Sequence, residues 1–413
     1  LGDAVPAPKK TVPADTVLIY VPGLEKTAAN TGEAVADVIA ASLDRTRPGK
    51  YRAATTKGAA PRGLRVSKGV LGPGDKPVLD VFELDYLSRM ERADSAPAGS
   101  TGAIISAALT LRAFGKLFPA YFRGAKNKRA KIQLTLAIVA TLALTFSTLV
   151  AVGALAGAAG WLDWLPKGVR NLGWTDSNAG RVATQVTGGT AVAWLAARRW
   201  LLAVAHDVRQ ALRYLNADRH RDTVTQTLDD AIDGLLDSDW TGTIHVLGYS
   251  FGSLVALDAL FRVDDDASPA DDRVRDGVSS LTTIGCPVDA VRLFYPTYFA
   301  GRRSRVKGLP WRNVFIPADV FGSNLNDKDD LADGSPASAH LFPGAKVTCV
   351  RYTDDRLSLF NVFALTGFRM HGGYWGTPDE ASCFDKLAGA WVPIDVVDAV
   401  PPQRAKVGAR KGS

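Results

Sequence analysis

Residues Thr243–Phe261, TIHVLGYSFGSLVALDALF, decide how the chain is read. Ile244 to Leu247 form a short apolar run that suits a buried strand. Gly248-Tyr249-Ser250-Phe251-Gly252 follows as a tight turn, after which Leu254, Val255, Leu257 and Phe261 recur at helical spacing. The pattern is strand, sharp turn, helix, with one serine at the apex. It fits the G-x-S-x-G nucleophile elbow, in which small flanking residues let the backbone take a strained bend that presents the hydroxyl. In that reading Ser250 is the nucleophile. The backbone N–H of Phe251, at the start of the new helix, is free to donate to a developing oxyanion.

Upstream, Thr16–Val21 (TVLIYV) reads as a buried strand running into Pro22-Gly23-Leu24-Glu25. A glycine-containing turn there lets backbone approach a substrate, making the N–H of Leu24 the second candidate oxyanion donor. Thr31–Leu43 carries Val35, Val38, Ile39 and Leu43 on one helical face. Tyr51–Thr56 and Val78–Tyr86 are further strands, and the Gly/Pro-rich stretch Gly58–Pro77 between them reads as a loop. Downstream, Asp218–Leu236 is a second amphipathic helix, and Ser279–Cys286, Trp311–Ile316 and Lys346–Tyr352 are strands. Alternation of β with α over such a length implies an α/β fold with a doubly wound, mostly parallel sheet.

The alternation is interrupted. Ala93–Gly102 is linker-like, and Ile104–Phe122 is an apolar-rich helix suited to a membrane surface or to a lid. After the basic run Lys126–Lys131, no charged residue occurs from Ile132 to Leu162, more than the ~20 residues that cross a bilayer. A weaker uncharged stretch covers Val182–Ala197 and continues past Arg198 and Arg199 to Ala205. Trp161, Trp164, Trp174, Trp194 and Trp200 fall near the segment ends, as interfacial tryptophans do. The flanks are richer in Lys and Arg than the connector, which puts both ends of a two-helix hairpin in the cytoplasm. An even number of crossings is also what a single sheet built from both flanks requires. A hydrophobic lid or dimer face on a soluble enzyme is the alternative.

The expected organisation is a discontinuous catalytic domain, 15–92 and 206–398, interrupted by a helical insertion, 103–205, with its hairpin at 132–162 and 182–205. The ends, 1–14 and 399–413, read as disordered. The chain has 413 residues and a formal charge of +7. Its basic clusters lie beside apolar runs and carry no nucleic-acid-binding motif, so they speak for membrane topology. The opening LGDAVPAPKKTVPAD lacks the character of a secretory signal peptide. Cys286, Cys349 and Cys383 have no metal-ligand spacing and read as reduced thiols, with no disulfide, metal or cofactor called for.

A serine nucleophile needs a base, and the base a carboxylate partner. Of the five histidines, His206, His220 and His245 precede Ser250, and His245 lies within the elbow strand. In hydrolases carrying this elbow the acid and then the base follow the serine in the chain. His371, heading HGGYWG after the last strand, is favoured over His340, which sits before a strand. Asp319 directly follows the strand at Trp311–Ile316 and is the candidate acid, with Asp289 as competitor; Asp327, Asp329 and Asp330 read as a solvated loop.

The run from Asp207 to Tyr374 resembles the lipase-like serine hydrolases of the α/β-hydrolase superfamily. The resemblance rests on DVRQALRYL, HVLGYSFGS, LTTIGCPVD, WRNVFIPAD and HGGYW, with YVPGLE at the first strand. It implies Ser250, Asp319 and His371 as nucleophile, orienting acid and base. Tyr249 stands where such enzymes often carry histidine, and no HGGG loop is present. The expectation is a membrane-anchored serine hydrolase of carboxylic esters, with lipid acyl esters favoured because the site sits beside a bilayer. A catalytically idle hydrolase fold serving as a membrane interaction module is the rival.

Overall fold

The computed structural model describes residues 14–24, 31–92 (apart from 56–59 and 62), 135, 210–263 (apart from 237–239 and 241), 277–326 (apart from 318 and 320), 338–352, 371–376 and 381–392. Ten strands and five α-helices are named here, in chain order. They are β1 (Thr16–Val21), α1 (Gly32–Thr46), β2 (Arg52–Thr55), β3 (Leu64–Leu71), β4 (Pro77–Leu84) and α2 (Leu87–Arg92). Beyond residue 209 come α3 (Asp218–Leu236), β5 (Thr243–Tyr249), α4 (Phe251–Leu260), β6 (Phe261–Val263), β7 (Val278–Ile284), α5 (Val288–Phe294), β8 (Arg302–Ser304), β9 (Leu309–Phe315) and β10 (Ala345–Arg351).

Eight strands form one sheet in the order β10-β9-β7-β5-β1-β4-β3-β2. Pairing is parallel from β10 through to β4. It turns antiparallel at β3 and β2. The fold is therefore a mostly parallel α/β sheet, and strands from both sides of residues 93–209 share it.

The strands at the centre are apolar at nearly every position because both faces are covered. Along β1, Val17, Ile19 and Val21 enter one core, while Leu18 and Tyr20 enter the other. On β5, Ile244 and Val246 take the first side, Leu247 and Tyr249 the second. The first core is closed by α3 and α4, with the stripe Val224, Leu228, Ile232 and Leu235 buried as its spacing requires. The second is closed by α1 through Val35, Val38, Ile39 and Leu43. Thr31 caps α1, accepting from the Ala34 N–H at 3.3 Å.

One expectation needs correction. Gly58–Pro77 is not all loop, because β3 occupies Leu64–Leu71 and pairs antiparallel with both β2 and β4. Its alternation is broken by a register shift between Val66 and Gly69, and Pro61, Gly63, Gly72 and Pro73 crowd its ends, so the strand does not stand out by periodicity. The two-stranded sheet of β6 and β8 was likewise not expected. Ala14, at the edge of the start read as disordered, is buried and donates its N–H to Asp80 Oδ2 at 2.8 Å.

Apart from residue 135, the hairpin segments 132–162 and 182–205, the helix at 104–122, the tail 399–413 and the acidic loop at Asp327, Asp329 and Asp330 lie outside the described residues. Among the described residues, no helix is long and apolar enough to cross a membrane. All three cysteines are free thiols, and burial pushes those of Cys286 and Cys383 upward.

Candidate active site

β1 and β5 lie side by side with Val21 opposite Gly248, and the chain leaves them in opposite directions, from β1 to the far edge strand β2 and from β5 to β7. At such a reversal the connections leave the sheet on either side, opening a crevice at the carboxyl ends of the two strands. Ser250 follows β5 at that edge, and Pro22-Gly23-Leu24 follows β1. The loop stands against the serine: a Cβ built on Gly23 would lie 3.2 Å from Ser250 Cβ.

Ser250 holds φ 51° and ψ −123°, a backbone state costly for a residue with a Cβ. The surroundings over-determine it. The Ser250 N–H donates to the Ile284 carbonyl at the end of β7 (2.8 Å), and its own carbonyl accepts from the Ser253 N–H (3.0 Å), starting α4. Gly252 permits the bend because a Cβ there would fall 2.1 Å from the Val21 carbonyl oxygen. Phe251 occupies the first position of α4, where a backbone N–H has no carbonyl partner within the helix.

His371 Nε2 lies 2.6 Å from Ser250 Oγ. On its other side Nδ1 lies 2.9 Å from Asp319 Oδ2 and 3.1 Å from Oδ1. An ionised carboxylate only accepts, so the proton sits on Nδ1, leaving Nε2 as acceptor for the serine hydroxyl. The imidazole lies between two aromatic rings, stacked on Tyr249 at 5.5 Å and edge-on to Phe321 at 5.2 Å. The Tyr249 hydroxyl donates to the His371 carbonyl oxygen at 2.8 Å, fixing the loop as well as the ring.

Asp319 is fully buried. Burial alone would raise its pKa. The charge of His371 and hydrogen bonds from His371, Tyr374 Oη (2.7 Å) and the Phe321 N–H (2.9 Å) outweigh that, holding the carboxyl below its ordinary value.

Three of the sequence-derived side chains are thus within hydrogen-bonding reach in the order Ser250–His371–Asp319. The rival residues lie elsewhere. Asp289 accepts from the Ser338 hydroxyl at 2.5 Å, and His340 is exposed in the short 3-10 turn Ser338–Leu341. His245 is buried in β5 against Ser280 Oγ. Sequence reasoning passed over Tyr374 and Phe321. Tyr374 stands in the quoted HGGYW run three residues after His371, which was the one signal to be had. Among the described residues, no three His, Cys, Asp or Glu side chains gather as a metal site would need.

Compared with models of known protein families, with curated proteins and with solved structures, the chain matches none.

Proposed function

We propose that this chain is a serine hydrolase of the α/β-hydrolase fold that cleaves carboxylic esters, lipid acyl esters foremost, through an acyl-enzyme on Ser250. The observation that carries the reading is the continuous hydrogen-bonded line from Ser250 Oγ through His371 to the buried Asp319. A structural serine on a strained backbone has no need of a histidine at 2.6 Å whose far nitrogen is engaged by a carboxylate.

In this reading Ser250 Oγ attacks the ester carbonyl carbon while its proton passes to His371 Nε2. Asp319 holds the imidazole in the tautomer that can accept and stabilises the imidazolium. The negative charge moves to the carbonyl oxygen, which the N–H groups of Phe251 and Leu24 are assigned to meet. As the tetrahedral intermediate collapses, the carbon–oxygen bond to the alcohol breaks, and that oxygen takes the proton from Nε2. Water then enters by the same route in reverse, releasing the acid and restoring Ser250. No cofactor takes part in this sequence.

The apolar segments 132–162 and 182–205 anchor the enzyme in the bilayer with the catalytic sheet on the cytoplasmic side. That assignment is supported by the absence of charge from Ile132 to Leu162 and by the basic flanks. A membrane surface beside the crevice makes a lipid ester the favoured substrate.

Labelling with a fluorophosphonate, which traps an activated serine, tests the reading. The expected result is stoichiometric labelling that Ser250→Ala abolishes and that His371→Ala slows by roughly 10⁴-fold. Labelling that survives Ser250→Ala removes the mechanism. Retention in the membrane pellet under alkaline carbonate tests the anchor separately, and release without detergent removes it.

A further inference from the structure

The carboxylate that orients His371 is itself gripped from the same loop. We propose that Tyr374 is a positioning residue of the hydrolytic site, its phenol fixing the Asp319 carboxylate in place and in charge so that His371 is presented to Ser250 in one tautomer. This rests on the hydrolase reading.

The geometry is a closed ring. Tyr374 Oη donates to Asp319 Oδ2 at 2.7 Å and accepts the Ile316 N–H at 3.0 Å. The Ile316 carbonyl in turn accepts the Asp319 N–H at 3.0 Å. The phenol therefore ties the acid's side chain to the end of β9, the strand that delivers the acid. His371 and Tyr374 lie in one turn, so a single loop takes the carboxylate at two points. Rotation of the carboxylate would break both bonds at once.

A Cβ on Gly322 would lie 2.6 Å from Asp319 Oδ2 and 2.7 Å from Tyr374 Oη, so glycine is what permits the phenol and carboxylate to meet there. Tyr374 is fully buried and is not placed to touch a substrate. Among the groups facing Asp319 are the His371 imidazole, the Tyr374 phenol and the Phe321 N–H. Behind them, the Tyr249 hydroxyl is directed to the His371 carbonyl and the Tyr352 hydroxyl to the Ala381 carbonyl, so neither phenol's proton is offered to the carboxylate.

Tyr374→Phe removes one oxygen and keeps the ring. A hydrogen bond to a charged group is worth about 1.5–3 kcal/mol, so a roughly ten- to hundredfold fall in kcat is expected on a soluble p-nitrophenyl ester, with KM unchanged. A carboxylate without this donor is more basic and holds the imidazolium proton beside it more tightly, so the acid limb of kcat/KM moves to higher pH. A merely structural tyrosine would lower the fraction of sites that a fluorophosphonate titrates and leave the profile where it was.

A double-mutant cycle guards against loss of folding. Tyr374→Phe should cost nothing further in an Asp319→Asn background, and an equal cost in both backgrounds overturns the proposal, as does an unshifted acid limb. The low-field NMR signal of the His371 Nδ1 proton reads the same contact without turnover. It should move in Tyr374→Phe, and a signal that stays put overturns the role. A wild-type chain that turns over no ester would sink the hydrolase reading alone, because the low-field proton still decides what Tyr374 does to the Asp319–His371 pair.

Discussion

Gly252 passes so close beneath Val21 that a side chain on it would collide with main chain, at 2.1 Å from the Val21 carbonyl oxygen and 2.3 Å from that of Pro22. The contact couples the two loops at the crevice, since α4 can seat its first turn only where β1 lets it. Backbone oxygens at the carboxyl end of a central strand have nowhere to move. Gly252→Ala should therefore cost at the upper end of overpacking penalties, about 3 kcal/mol, and abolish fluorophosphonate labelling in whatever folds. Urea unfolding and labelling stoichiometry read the two effects, and an alanine variant with wild-type midpoint and labelling would show that the loops are not locked.

The central strand carries a pH liability separate from catalysis. Burial, with the Arg312 charge adding to it, lowers the pKa of His245 to about 4. In the unfolded chain the same imidazole protonates near pH 6.5, so between these values the unfolded state binds the extra proton. Stability then falls as pH falls from about 6.5 to about 4, by up to about 3 kcal/mol from this group. His245→Gln, which retains a polar partner for Ser280 Oγ, should flatten that part of the curve. Urea midpoints at pH 7, 5.5 and 4.5 for both proteins decide it, and equal slopes would remove His245 as the cause.

On α4 itself, Asp258 is buried against Arg302 and accepts hydroxyls from Tyr214 (2.8 Å) and Tyr298. Tyr214 also packs edge-on to Phe251 at 5.1 Å, so the network reaches the residue that follows Ser250. Asp258→Asn leaves the Arg302 guanidinium buried without a counter-charge, which costs about 3–5 kcal/mol. The expected outcome is a large drop in the unfolding midpoint, with labelling rate per folded molecule little changed. A drop under 1 kcal/mol would mean that Arg302 finds another partner.

Much of this was legible before any coordinates, for a physical reason. Strands covered on both faces are apolar at nearly every position, so TVLIYV and the run into the elbow announce themselves. The segments ending at Cys286, Ile316 and Tyr352 carry polar residues, and the last of them is the edge strand. Ser250 carried its own local signature, and Asp319 and His371 could be ranked because strand ends and late loops are where such residues must lie. What could not be read depends on meetings between distant segments. The β3 strand is held by its neighbours on both sides rather than by a pattern of its own, and Gly69 sits at its irregularity. The bond from Tyr374 to Asp319 spans 55 positions and joins two loops, and nothing in HGGYW alone says which acid that hydroxyl will find.

Phe321 offers the last prediction. It is one of two large apolar side chains exposed among the described residues, at 38%, and its ring stands edge-on to His371 at 5.2 Å. On the proposed hydrolase reading, an exposed aromatic face beside His371 is suited to the apolar part of an ester. Its backbone N–H serves Asp319 whatever the side chain is, so truncating the ring leaves that hydrogen bond in reach. Fully burying a phenylalanine contributes about 1.5–3 kcal/mol, and covering the exposed part of this one about 1 kcal/mol. Phe321→Ala should then lower kcat/KM for a long-chain acyl ester roughly fivefold, chiefly through KM, while the acetyl ester, too short to cover the ring, loses much less. Steady-state kinetics on a series of p-nitrophenyl esters from acetate to decanoate gives the comparison. If the loss is the same at every chain length, the ring acts on His371 and not on the substrate, and the acyl chain must lie along another wall of the crevice.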